Sequence, residues 1–166
     1  MLSTRNGRLV RGCALVALVL LSAAARAEVS SRLEAFRVTT DTQGKEQVNA
    51  ATTTTPGDVI EYRIRYENTD AKPVTSLAVN GPVPEGTELL ADSAKTSAKH
   101  TLAYSIDGGK TFSAAPIKRT TDKGVNETVA VNQYNAVQWR VLEPLKKGSP
   151  IRFSYRVRIN AAPDKK

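Results

Sequence analysis

The side chains best suited to chemistry in this 166-residue sequence are arginines set at alternate positions. Over 151–160, Arg152, Arg156 and Arg158 alternate with Phe153, Tyr155, Val157 and Ile159; over 137–141, Arg140 lies out of phase with Val137, Trp139 and Val141. Successive side chains of a strand point to opposite faces, so each apolar set turns inward and each arginine outward. If 138–141 pairs with 151–160 through the loop 142–150, then Arg140, Arg152, Arg156 and Arg158 share one outward face, with Lys146 and Lys147 at its loop end. Guanidinium forks grip carboxylate or phosphate through paired charge-assisted hydrogen bonds. This face is the candidate binding site, and an anionic polymer its candidate ligand. Exposed Arg and Lys also keep strands soluble and discourage edge pairing, and that plainer role carries more weight for these four.

Catalytic and metal chemistry find little to work with. His100 is the single histidine, in the polar stretch 95–100, and without a second His or a nearby Cys no typical zinc site assembles. It reads as an exposed loop residue. No nucleophile elbow accompanies it. Asp41, Asp58, Asp70, Asp92, Asp107 and Asp122 stand singly among turn residues, not in the alternating pattern of a calcium loop. No catalytic residue, metal ligand or cofactor is assigned, and an enzyme is not expected. The stretch 105–112 fits the Asp-box pattern Ser-x-Asp-x-Gly-x-Thr-aromatic, with Asp107 placed to accept backbone N–H bonds and Gly108 and Gly109 to supply positive φ. A propeller needs several such boxes and a longer chain, so one box means a braced hairpin with Phe112 packed beneath it.

The elements that position these groups are strands. Ile60, Tyr62, Ile64 and Tyr66 alternate with Glu61, Arg63, Arg65 and Glu67, the same period of two that 151–160 shows. Weaker strands are expected over 33–39, 73–79, 87–91 and 101–106, with Val125, Val129 and Val131 sharing one face and Val137, Trp139 and Val141 another. The polar stretch 39–57 is a long loop or an irregular edge strand. Short strands punctuated about every ten residues predict an all-β, two-sheet sandwich. Trp139, Tyr62 and Phe153 are its expected buried aromatics.

The N-terminus has the grammar of a secretory leader: Arg5, Arg8 and Arg11, an apolar core over 13–21, and Ala25-Arg26-Ala27 before Glu28. The expected division is 1–27 signal peptide, 28–160 a single domain and 161–166 a short polar tail. Cys13 opens the apolar core where a lipidated cysteine would follow it, so lipidation is not expected. Cleavage takes four of the 24 basic residues and none of the 16 acidic ones, leaving a net +4 where the whole chain has +8. That lowers nucleic acid as a partner. The cleaved chain has no cysteine for a disulfide and no expected membrane span.

Three stretches together resemble the conserved-repeat family of bacterial envelope proteins called Domain of Unknown Function 11. They are Pro56-Gly57-Asp58 leading into Tyr62-Arg63-Ile64 and on to Asn68; the turn 79–87 around Pro84-Glu85-Gly86; and Val137-Gln138-Trp139-Arg140-Val141 continuing through Leu145, Gly148 and Tyr155 to Ile159. Asn80 stands where the family has an acid, and the second motif carries an extra residue pair. The resemblance implies an immunoglobulin-like β-sandwich at the cell envelope and no chemistry. The expected function is a non-catalytic exported structural or interaction module. The alternatives are a binder of anionic envelope glycans or polymers through the arginine face, and an accessory subunit of a surface appendage that partners another envelope protein. Oligomeric state is left open. Protein recovered from the periplasm or medium should begin at Glu28 on N-terminal sequencing; residues 1–27 found intact on membrane-bound protein would overturn the leader.

Overall fold

Period-two alternation becomes pairing in the order the chain permits. The computed structural model describes residues 29–161, so the expected leader, its cleavage point and residues 162–166 of the tail lie outside the described residues. Eleven strands follow one another among the described residues: β1 Val29–Thr40, β2 Glu46–Ala50, β3 Val59–Asn68, β4 Ala78–Pro82, β5 Thr87–Leu89, β6 Lys95–Thr96, β7 His100–Ser105, β8 Lys118–Thr120, β9 Asn126–Thr128, β10 Ala136–Val141 and β11 Ile151–Ile159. A 3-10 turn at Val131–Gln133 is the one helical element among the described residues, and no helix there is long and apolar enough to cross a membrane. The fold is all-β with antiparallel sheets: a six-stranded sheet in the order β2-β1-β3-β11-β5 with β6 also on β11, a three-stranded sheet β4-β10-β7, and the hairpin β8-β9.

The two clearest alternating segments, β3 and β11, lie side by side with Tyr62 opposite Tyr155 and Ile64 opposite Phe153. Their shared apolar face meets that of β10. Trp139 is 0% exposed, with ring centroids 5.4 Å from Phe153 and 6.0 Å from Tyr155. Tyr62, half-buried, stacks on Tyr155 at 5.2 Å. Gly81 on β4 makes room for that ring: a Cβ there would sit 2.6 Å from Tyr155 Cε1. The Tyr155 hydroxyl donates to the Pro82 carbonyl at 2.6 Å, which holds β4 over the opposite sheet. Asn68, fully buried at the end of β3, donates through Nδ2 to the carbonyls of Lys72 at 2.7 Å and Leu145 at 3.0 Å. It thereby ties two loops to one strand end.

Two strand expectations change, and one of the two alternatives for 39–57 is met. Over 73–79 only Val74 bridges to Leu145, and the strand proper starts at Ala78. Val125, Val129 and Val131 do not share a face: Val125 is 60% exposed and Val129 3%, because the chain leaves β9 there and turns at once. The stretch 39–57 contains a true edge strand, β2, entered by a turn in which Gln43 and Lys45 N–H both donate to Asp41 Oδ1 at 2.9 Å. The pairing of 138–141 with 151–160 is also corrected. β10 pairs with β4 and β7, and β11 with β3, β5 and β6. Two strands with matching apolar faces bury them best by facing each other across the core, and the loop 142–150 makes that crossing with Leu145 buried and bonded to Val74 in both directions.

Truncating a fully buried aromatic costs about 3–5 kcal/mol. Trp139→Ala should therefore lose most of its cooperative urea unfolding transition. Native indole fluorescence that is red-shifted and freely quenched would contradict this burial.

Candidate functional site

The outward face of the six-stranded sheet carries its charges in rows, because pairing sets residues of neighbouring strands opposite one another. Arg32 of β1 stands opposite Arg65 of β3, and Arg65 opposite Arg152 of β11. The next row on this face runs Glu34, Arg63, Ser154 and Lys95, and the one after it Phe36, Glu61 and Arg156. Together the first two rows line an open groove of about 690 Å³, walled by Arg32, Arg63, Arg65, Arg152 and Lys95, with Glu34 as the only acid. Phe36 closes one end beneath the Arg63 guanidinium, whose carbon lies 4.5 Å from the ring centroid. A second depression of about 200 Å³ adjoins at Lys95 and Ser154 and leads to Glu61 and Arg156.

Carboxylates hold part of this face in place. Glu61, only 8% exposed, accepts from Arg156 Nε at 2.8 Å and Arg63 Nε at 2.7 Å. Arg156 also forks onto both oxygens of Glu46, at 2.8 and 2.9 Å. Burial pushes the Glu61 carboxyl up, but the hydrogen bonds and charges of Arg156 and Arg63 outweigh it and hold the group below its ordinary value. The Arg156 fork lowers Glu46 as well. Arg65 pairs with Glu67 at 2.6 Å and Arg32 with Glu34 at 3.0 Å. Arg152 has no carboxylate partner among the described residues.

The four arginines singled out from sequence therefore separate. Arg152 lines the groove. Arg156 is a clamp between two carboxylates, and Arg158 pairs with Glu88 at 3.4 Å. Arg140 belongs to the other sheet, where its Nε donates to Gln138 Oε1 at 2.8 Å. Lys146 and Lys147, exposed in the loop before β11, are not among the groove's lining residues. Sequence reasoning missed Arg32, Lys95 and the assembled role of Arg63 and Arg65. The alternation of β3 signalled the last two; what was missing was that β3, not β10, neighbours β11.

The remaining candidates resolve as structure. The Asp107 carboxylate accepts from the Thr111 hydroxyl at 2.6 Å, the Ser105 hydroxyl at 2.7 Å and the amides of Thr111 and Lys110 at 3.0 and 3.1 Å. Gly108 and Gly109 take φ of 77° and 83°. The Thr111 hydroxyl first, then its amide and the Ser105 hydroxyl, hold the Asp107 carboxyl well below the usual carboxylate range. Phe112 is half-buried. His100 is corrected from an exposed loop residue: it opens β7, where pairing with Val141 leaves it half-buried, with Nδ1 2.8 Å from the Ala98 carbonyl oxygen. No group of three or more His, Cys, Asp or Glu side chains among the described residues is placed to hold a metal ion. No family model, curated protein or solved structure matches this chain.

Arg156→Ala strips Glu61 of a charged partner while leaving it nearly buried. The expected loss is roughly 1–3 kcal/mol, against about 0.5 kcal/mol or less for the unpaired Arg152→Ala; urea unfolding of the two variants checks the order. Because Glu61, Glu46 and Asp107 are lowered in the folded state, their stabilisation is complete above the ordinary carboxylate pKa and is lost as pH falls through the lowered values. The melting temperature should hold steady down to about pH 5 and fall below about pH 4. Asp107→Asn should flatten that acid limb. A melting temperature that rises on acidification would contradict the assignment.

Proposed function

We propose that this chain is a non-catalytic, exported interaction module of the bacterial cell envelope, built as an immunoglobulin-like β-sandwich, that makes its contact through the outer face of the six-stranded sheet. The groove carries the reading: four arginines and a lysine converge there with one acid, and Arg152 lacks a carboxylate partner among the described residues. Its lining offers cations and hydroxyls but no free base or nucleophile pair, since Glu34 is bonded to Arg32 and His100 lies on β7 of the other sheet. Such a surface holds anions and does no bond chemistry on them. The sandwich is supported by the aromatic contacts of β10 with β11. Export is supported by the leader grammar of residues 1–27.

A second reading rests on a different observation. β2 covers only Phe36–Thr40 of β1, so 29–34 present an exposed edge with no second neighbouring strand among the described residues. An accessory subunit that captures a partner's strand would use such an edge.

Co-sedimentation with purified anionic envelope polymers separates the two. Binding through the groove should be strong at low salt and fade toward 1 M, where the Debye length shrinks to ~3 Å. Arg152→Glu should abolish it while Arg140→Glu, on the other sheet, leaves it intact. Equal retention of both variants, or none of the wild type, would overturn the groove reading.

A further inference from the structure

We infer that the ligand of this groove is a linear acidic polysaccharide lying across the strands, its successive carboxylates seated on Arg32, Arg65 and Arg152; the inference rests on the groove being the binding face. Like charges directly opposite one another destabilise a sheet, yet here three arginines occupy one row on three adjacent strands. Glu34 and Glu67 relieve two of them from neighbouring positions, and Arg152 is left without such relief. A row of this kind is pre-organised for negative charge supplied from outside.

The direction of the row sets the shape of the ligand. Neighbouring strands lie ~4.8 Å apart, so the outer two arginines stand roughly 10 Å from each other at the backbone. One carboxylate cannot serve both. A chain of sugar rings bearing one carboxylate each repeats its charge over about the length of a single ring, which is close to one strand spacing. The planar guanidinium fork suits a carboxylate in two parallel hydrogen bonds.

The rest of the lining favours a sugar over a bare polyanion. Thr96, Ser97 and Ser154 bring hydroxyls to the wall beside the row, and Pro150 gives an apolar surface for the C–H face of a ring. Lys95 stands opposite Ser154 on the next row, a cation beside a hydroxyl. A phosphate-only chain accepts from the hydroxyls too, but has no use for that apolar surface.

The test is calorimetric titration of the leaderless protein (28–166) with galacturonate, with its linear dimer and trimer, with a neutral oligosaccharide of equal length and with short-chain polyphosphate. The trimer should bind about 10-fold or more tighter than the monomer, since each further carboxylate engages at high effective concentration. Arg65→Ala should erase that gain. Arg65→Lys, which keeps the charge and loses the fork, should restore little of it. Arg140→Ala should change nothing. Equal affinity for monomer and trimer, tighter binding of polyphosphate, or equal binding of the neutral oligosaccharide would overturn the inference. Polyphosphate binding that Arg152→Glu abolishes would leave the groove reading standing and remove only the polysaccharide; absence of binding by every anion would remove both.

Discussion

The meeting of β10 and β11 across the core is the contact on which the rest of the molecule depends. Trp139 reaches Phe153 and Tyr155, and those rings lie in β11, an interior strand of the larger sheet. The Trp139 indole N–H is fully buried and finds no hydrogen-bond partner among the described residues. β3 is held on one side of β11, β5 and β6 on the other. β4 is drawn down by Tyr155 through the bond to Pro82, and only a residue without a side chain fits at Gly81. Strands of two, three and five residues keep their places because this contact has already fixed the strands they pair with.

The opposite face of the larger sheet divides between self-stabilisation and exposure. Toward β2, Arg156 and Arg63 enclose Glu61, and Arg156 extends to Glu46, so an edge strand and two central strands are pinned by one guanidinium. That lattice fixes the backbone beneath the neighbouring rows, where the arginines are less fully matched. Pre-organisation lowers the cost of binding, and for the proposed groove the carboxylate lattice next door supplies that rigidity.

Alternation made β3, β10 and β11 legible, because one apolar face repeats every second residue over five or more positions. It said which way each arginine points. It did not say which strands are neighbours: the odd-numbered apolar sets of β10 and β11 suit a hairpin and a face-to-face packing equally, and only the loop path through Leu145 decides. Arg32 was hidden for the same reason. Nothing in Ser31-Arg32-Leu33 marks it as the third member of a row whose other members lie 33 and 120 residues onward. The Asp-box turn was readable in the local bonds to Asp107 and Ser105, but not in the bond from the Gly108 N–H to Asn135 Oδ1, 27 residues onward. Asn68 was visible as a strand-end residue, but its grip on Leu145 was not, because that contact spans 77 positions.

Among the described residues the β8–β9 hairpin pairs with no other strand, and it meets the core at its root, where Val129 N–H donates to the Ile117 carbonyl at 2.9 Å and both side chains are buried. Beyond that root, Arg119 and Glu127 bind each other and Gly124 turns the tip in water. The length of this arm is thus uncoupled from the folding of the body. Residues 122–124 are a natural port for an inserted epitope or fluorophore, and a stretch along which the sequence is free to drift while the sheets stay as they are.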